Sequence, residues 1–216
     1  RVAMLRAAMV GSSNFKLLLA AGAVAVAVYA GIDQRSGYNA PRLPGAVVQG
    51  EPEQDDRARR AAFEHKGYRI EPFARFTVRA RLLAAASYRS GREADLSPVD
   101  FALGWNDLSN DAVLDRLQIS QGNRFYFYRW QGQPPVPPEV IVRNSANMHL
   151  IPASATVARA LEQARPGAVV TLRGWLVDVS APDGWQWRSS RTRTDSGAGA
   201  CEVIWVEDVE LGGSGV

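Results

Sequence analysis

Cysteine is almost absent: the chain of 216 residues carries one, Cys201. That excludes an internal disulfide framework and a zinc site built on several thiolates. Histidine is nearly as scarce, with only His65 and His149, far apart. There is no H-E-x-x-H, no C-x-x-C and no EF-hand loop, so neither a metal nor another cofactor is expected. Lysine occurs only as Lys16 and Lys66, and the other basic residues are arginines. What is missing from most of the chain is excess charge. The net charge is +3, and Arg1, Arg6 and Lys16 supply it from residues 1–16, which hold no acid. The other 22 basic residues face all 22 acidic ones. Nucleic-acid affinity rests on phosphate neutralisation, so no nucleic-acid partner is expected for a balanced domain. Hydrophobic residues at 46% and charged residues at 22% exclude a wholly disordered chain, a collagen-like fibre and a coiled-coil rod.

What is present begins with a charge-free run, L-L-L-A-A-G-A-V-A-V-A-V-Y-A-G-I, over residues 17–32. As a helix it spans about 24 Å at 1.5 Å per residue, short but serviceable for a bilayer core of about 30 Å. The basic residues precede it, while Asp33 and Arg35 cancel after it. The expectation is a cytoplasmic tail (1–16), a transmembrane signal-anchor in the bacterial inner membrane (17–32) and a soluble periplasmic remainder. A cleaved signal peptide is the second reading, since Val28-Tyr29-Ala30 offers small residues at the cut positions. A buried core helix is the third, and it lacks the polar stripe such a helix shows. Residues 33–60 have linker composition, with Gly37, Pro41, Pro44, Gly45, Gly50 and Pro52, then Glu51, Glu53, Asp55 and Asp56. The folded domain is expected over 61–216.

Within that domain, period-two alternation through Phe76, Val78, Ala80 and Leu82, with arginines between, predicts a strand near 73–83. Ser97-Pro98 reads as a helix cap with proline at the first position, and Gly104 as its stop, giving a helix over 98–103. Ser109 reads as the cap of a second helix over 109–117. Ile119 with R-F-Y-F-Y-R-W predicts an aromatic strand over 119–130, either covered on both faces or offering one as a stacking platform. Val140–Val142 reads as a short strand. Residues 145–153 read as a loop before a helix over 154–165 capped by Ser154. Strands at 168–179, 185–194 and 201–211, with turns at Pro182-Asp183-Gly184 and Ser196–Gly199, form a meander.

The candidate chemistry is sparse. His149 sits two residues after Asn147, and with a carboxylate such as Asp100 it has the makings of a general base. The alternative is a histidine that only ties its segment to the sheet. Cys201 is a potential nucleophile, but one that opens a strand and reads as a small apolar filler. Trp185 and Trp187 share a strand face with arginines nearby, a pattern that suits a sugar ring, a base or a packed sheet edge. The candidate binding set is Asn147, His149, Asp100, Trp105 and Arg124; no catalytic or metal-binding residue is assigned. Thr192–Gly199 has the composition of an anion loop without its G-x-x-x-x-G-K-[ST] pattern.

At S-P-V-D-F-A-L-G-W, S-Q-G-N-R-F-Y-F-Y, S-A-N-M-H-L-I-P-A and T-R-T-D-S-G-A-G-A-C-E the chain resembles a group of single-span, inner-membrane-anchored bacterial envelope proteins. The resemblance covers roughly residues 65–210 and brings no activity with it. It implies a tethered envelope protein.

The fold expected is α+β: an antiparallel, partly barrel-like sheet with a few short helices, preceded by one N-terminal transmembrane helix. Five strands with a helix before the last three are similar to a small oligonucleotide/oligosaccharide-binding barrel. The function expected is a membrane-anchored periplasmic binding or assembly module, non-enzymatic. Its partners are the inner membrane through residues 17–32 and another envelope protein, with the ligand left open. The alternative is an envelope hydrolase using His149 with Asp100.

Overall fold

A computed structural model describes Gly45 and residues 47–191 and 201–212. The expected cytoplasmic tail, the apolar run, the first part of the linker and the Ser196–Gly199 turn lie outside them. Among the described residues no helix is long and apolar enough to cross a membrane. In chain order the elements are β1 (Glu53–Asp55), β2 (Phe63–His65), β3 (Tyr68–Ser87), α1 (Arg92–Leu96), β4 (Val99–Gly104), a 3₁₀ turn (Asn106–Ser109), α2 (Asp111–Leu114), β5 (Gln118–Gly122), β6 (Phe125–Arg129), α3 (Pro138–Arg143), β7 (Ser145–Pro152), α4 (Ala155–Gln163), β8 (Val169–Ser180), β9 (Gln186–Trp187) and β10 (Glu202–Gly212). The result is a sheet-rich α+β fold with short helices, as the sequence suggests.

Five strands close on themselves. β3 pairs with β4, β4 with β7, β7 with β10, β10 with β8, and β8 again with β3. All of these ladders are antiparallel except β7 with β10. The alternation in β3 sends Ala74, Phe76, Val78, Ala80 and Leu82 inward, where they meet Phe101 and Leu103, Met148 and Leu150, Leu172 and Ile204. Helix α4 lays Val157 and Leu161 against the same core. Its cap is the one expected: the Ser154 hydroxyl accepts from the Val157 N–H at 3.2 Å. A second apolar layer covers the outside of β8 and β10, with Trp175, Val177, Val203 and Trp205 under Phe63, Tyr68, Trp185 and Trp187. A third lies on the outside of β4, where Ala102 and Leu83 meet Leu108, Leu114 and Ile141.

Two barrel strands are not where the sequence places them. Residues 99–104 form β4 instead of a helix, and all six are buried. A strand covered on both faces has no alternation to read. Ser97, at φ −113° and ψ 87°, is kept out of the helical region by the following proline and closes α1 instead of opening a helix. Gly104 is there because a Cβ would lie 2.2 Å from the Leu108 carbonyl oxygen. Residues 145–152, read as a loop, are β7. Conversely, 140–142 lie in α3, which Pro138 opens at its first position. The second short helix is capped by Asn110, whose side chain accepts from the Ala112 N–H, while the Ser109 hydroxyl accepts from the Val48 N–H.

The expected aromatic strand 119–130 is a separate hairpin, β5–β6, off the barrel. Tyr126, Tyr128 and Trp130 pack against the third cluster. Of the expected strand 185–194, only Gln186 and Trp187 pair, with β8. Ser189 and Ser190 still bond to the Val203 N–H and the Cys201 carbonyl. The stretch read as linker contributes β1, which pairs with β3, and a fully buried Val48.

Candidate functional site

Asp100 stands on β4 directly opposite His149 on β7. Their neighbours Val99, Phe101, Met148 and Leu150 face the barrel interior, so both side chains point outward. Asp100 is nevertheless fully buried and His149 only 4% exposed. The outer face of the barrel is covered here by the β5–β6 hairpin and the segment following β8.

The Asp100 carboxylate joins three elements. Oδ1 accepts from Arg124 Nη1 at 2.7 Å and from Ser97 Oγ at 3.2 Å. Oδ2 lies 2.9 Å from His149 Nδ1. Both of these atoms are shut off from solvent and neither has a hydrogen-bond partner of good angle. A carboxylate oxygen at that distance is tolerated when Nδ1 carries the proton. Nε2 is then the acceptor of the ring. The imidazole also packs against Trp187, with ring centroids 4.9 Å apart.

Arg124 arrives from the hairpin tip. Asn123 and Arg124 have φ of 51° and 67°, the left-handed backbone that a two-residue type I′ turn demands at both positions. Arg124 Nη1 also donates to the Ser97 carbonyl at 2.9 Å. Its guanidinium carbon lies 3.8 Å from the centroid of the Tyr88 ring and 5.7 Å from that of Trp187. Its backbone N–H donates to the Tyr88 hydroxyl oxygen at 3.0 Å. Burial, and then the Asp100 carboxylate, push the Tyr88 hydroxyl above its ordinary pKa, so it stays protonated.

Asn147 fastens the hairpin to the barrel. Its Nδ2 donates to the Arg124 carbonyl at 2.9 Å, and its Oδ1 accepts from Gln121 Nε2 at 2.6 Å. Cys201 Sγ lies 3.7 Å from the same Nδ2 and 3.9 Å from the Arg124 carbonyl oxygen. One side of this assembly is open as a cleft of about 530 Å³. Its walls are Glu93 of α1, Arg124 and Phe125 of the hairpin, His149 of β7, Cys201 and the run Gln186-Trp187-Arg188. Among the described residues no three His, Cys, Asp or Glu side chains converge to hold a metal ion.

Of the candidate residues, Asn147, His149, Asp100 and Arg124 come together, while Trp105 lies buried in the barrel core away from them. Sequence reasoning missed Tyr88, Ser97, Glu93 and Gln121. Nothing in a single sequence marks them, because each acts through a contact across strands or loops. For Arg124 there was a signal, the Gly122-Asn123 step between two strand-like runs, which favours a tight hairpin. No protein-family model, curated protein or solved structure matches the chain.

Proposed function

We propose that the chain is a membrane-anchored periplasmic binding or assembly module, non-enzymatic, whose ligand seat is the cleft beside His149. One observation carries the reading. Taking β3, β4, β7, β8 and β10 as staves one to five, the barrel runs 1-2-3-5-4-1, with α4 between staves three and four. Barrels of the oligonucleotide/oligosaccharide-binding type hold ligands on staves two and three, between the loops joining staves one to two and four to five. The cleft occupies that place: His149 is on the third stave, Glu93 in the first loop, and Trp187 in the last. The fold likeness supplies the location only, and the side chains supply the chemistry. The membrane and periplasm belong to the proposal through residues 17–32, the basic residues before them and the family resemblance.

The hydrolase reading has one observation in its favour, the Asp100–His149 contact through Nδ1, which makes Nε2 the acceptor of the ring. Against it, the Cys201 thiol lies against Asn147 Nδ2 and the Arg124 carbonyl oxygen. His149→Ala separates the two. In the module, loss of the paired imidazole costs about 1–3 kcal/mol and lowers the melting temperature by several degrees. A variant that melts like wild type and still binds its ligand, yet no longer turns it over, favours the hydrolase.

A further inference from the structure

We infer that the cleft takes a neutral saccharide, an inference that rests on the binding reading above. The charges that line or underlie it cancel: Glu93 and Asp100 against Arg124 and Arg188. A groove for nucleic acid or another polyanion needs a strongly positive surface, and the described residues here supply none once Asp100 is counted against Arg124. What it offers is a mixed set of donors and acceptors at fixed positions. Arg124 spends Nη1 on Asp100 and Ser97, and its Nε and Nη2 edge has no partner among the described residues. Tyr88 and Trp187 fix the plane of that guanidinium, so the edge is already oriented before anything binds. His149 Nε2 is an acceptor when Nδ1 carries the proton, and Glu93 brings a carboxylate to the wall of the cleft. Gln186 brings an amide, its Oε1 already holding Arg188 Nη2 at 2.8 Å.

Vicinal hydroxyl groups each donate and accept, and they match such a set, while a carboxylate or phosphate meets Glu93 at close quarters. The apolar share of the recognition comes from aromatic rings. Trp187 lines the cleft, and Phe125 beside it is 39% exposed, an unusual position for a phenylalanine. Ring faces of this kind take the C–H face of a pyranose by burying apolar area beside a hydrogen-bonding rim.

The test is binding of the detergent-solubilised full chain to an array of neutral and acidic oligosaccharides, with a labelled single-stranded oligonucleotide as a further probe. Tryptophan-fluorescence titration with each array hit follows, in wild type, Phe125→Ala and Trp187→Ala. Neutral glycans should bind, and each variant should weaken them about tenfold. The exposed Phe125 allows its variant to be compared at unchanged melting temperature. Binding only to acidic glycans or to the oligonucleotide, lost in the same variants, overturns the neutral saccharide and leaves the cleft as the seat. Neutral-glycan binding indifferent to both variants overturns the site. A chain that binds none of the probes overturns the saccharide, while the His149→Ala melting comparison decides the binding module separately.

Discussion

Arg124 holds a backbone conformation that glycine adopts freely and arginine does not, and it does so while anchoring a buried carboxylate. The left-handed φ of 67° costs an L-residue with a Cβ about 1–2 kcal/mol relative to glycine. The two contributions can be separated by replacing Arg124 with alanine and with glycine. Both lose the ion pair to Asp100, but only alanine keeps the strain. Denaturant unfolding should therefore find Arg124→Gly more stable than Arg124→Ala by about 1 kcal/mol, with both below wild type. The reverse order would refute the left-handed turn. Stability against pH turns on another residue, His65, which stacks edge-on against Trp205. Burial, and then the charge of Lys66, hold its imidazole below the ordinary value of 6.5. The folded state thus favours the neutral ring. His65 contributes stability that is fully present above that value and is lost as the pH falls through the lower folded one. Melting curves between about pH 7 and pH 5 should fall more steeply for wild type than for His65→Gln. Parallel curves would assign the acid sensitivity elsewhere.

At the scale of elements, the barrel depends on one close approach. A Cβ on Gly174 of β8 would lie 1.9 Å from the Trp205 carbonyl oxygen of β10, and that oxygen belongs to the ladder itself. Gly174→Ala should cost more than about 3 kcal/mol, because backbone, unlike a side chain, has no rotamer to retreat to. Gly122, with nothing within 4 Å of a Cβ, is the control: alanine there should shift the denaturation midpoint by less than about 1 kcal/mol. Equal effects at the two positions would mean that β8 and β10 are not so close. Elements were legible in the sequence in proportion to how unevenly they are buried. β3 has one face on the core and arginines on the other along part of its length, so its period of two survives, while β8 and the first half of β10, largely buried on both faces, were marked by the turn residues beside them. β4 is buried throughout, and its only charge, Asp100, is neutralised by residues from elsewhere in the chain. β7 does alternate, with Met148 and Leu150 in and Asn147 and His149 out. Its outward residues are polar yet covered by the hairpin, a pairing that no local pattern announces. The candidate site was legible as residue types, His149 with Asp100 and Asn147. The partner that fixes them, the tip of β5–β6, was read as part of one continuous strand.

For the whole molecule, the proposed topology follows from residues 1–33, where Arg1, Arg6 and Lys16 precede an apolar run and no net charge follows. By the rule that positive flanks stay in the cytoplasm, the proposal is that residues 33–216 lie on the far side. An alkaline phosphatase fused to Val216 should be active in cells, whereas a green fluorescent protein fused there should be dark. The opposite pattern would overturn the periplasmic assignment and leave the barrel and its cleft untouched.

The long first stave sets a clock. β3 meets β4 almost at once, but its other edge waits for β8: Arg81 pairs with Val169 and Arg69 with Ser180, roughly 90 to 110 residues later in the chain. At about 5–20 residues per second of synthesis, that edge stays bare for roughly 5–20 s, with its row of apolar side chains uncovered. During that interval the nascent chain is an open sheet, competent to pair with whatever strand it meets. Its own β8 must therefore compete with every neighbouring copy for the place it finally takes.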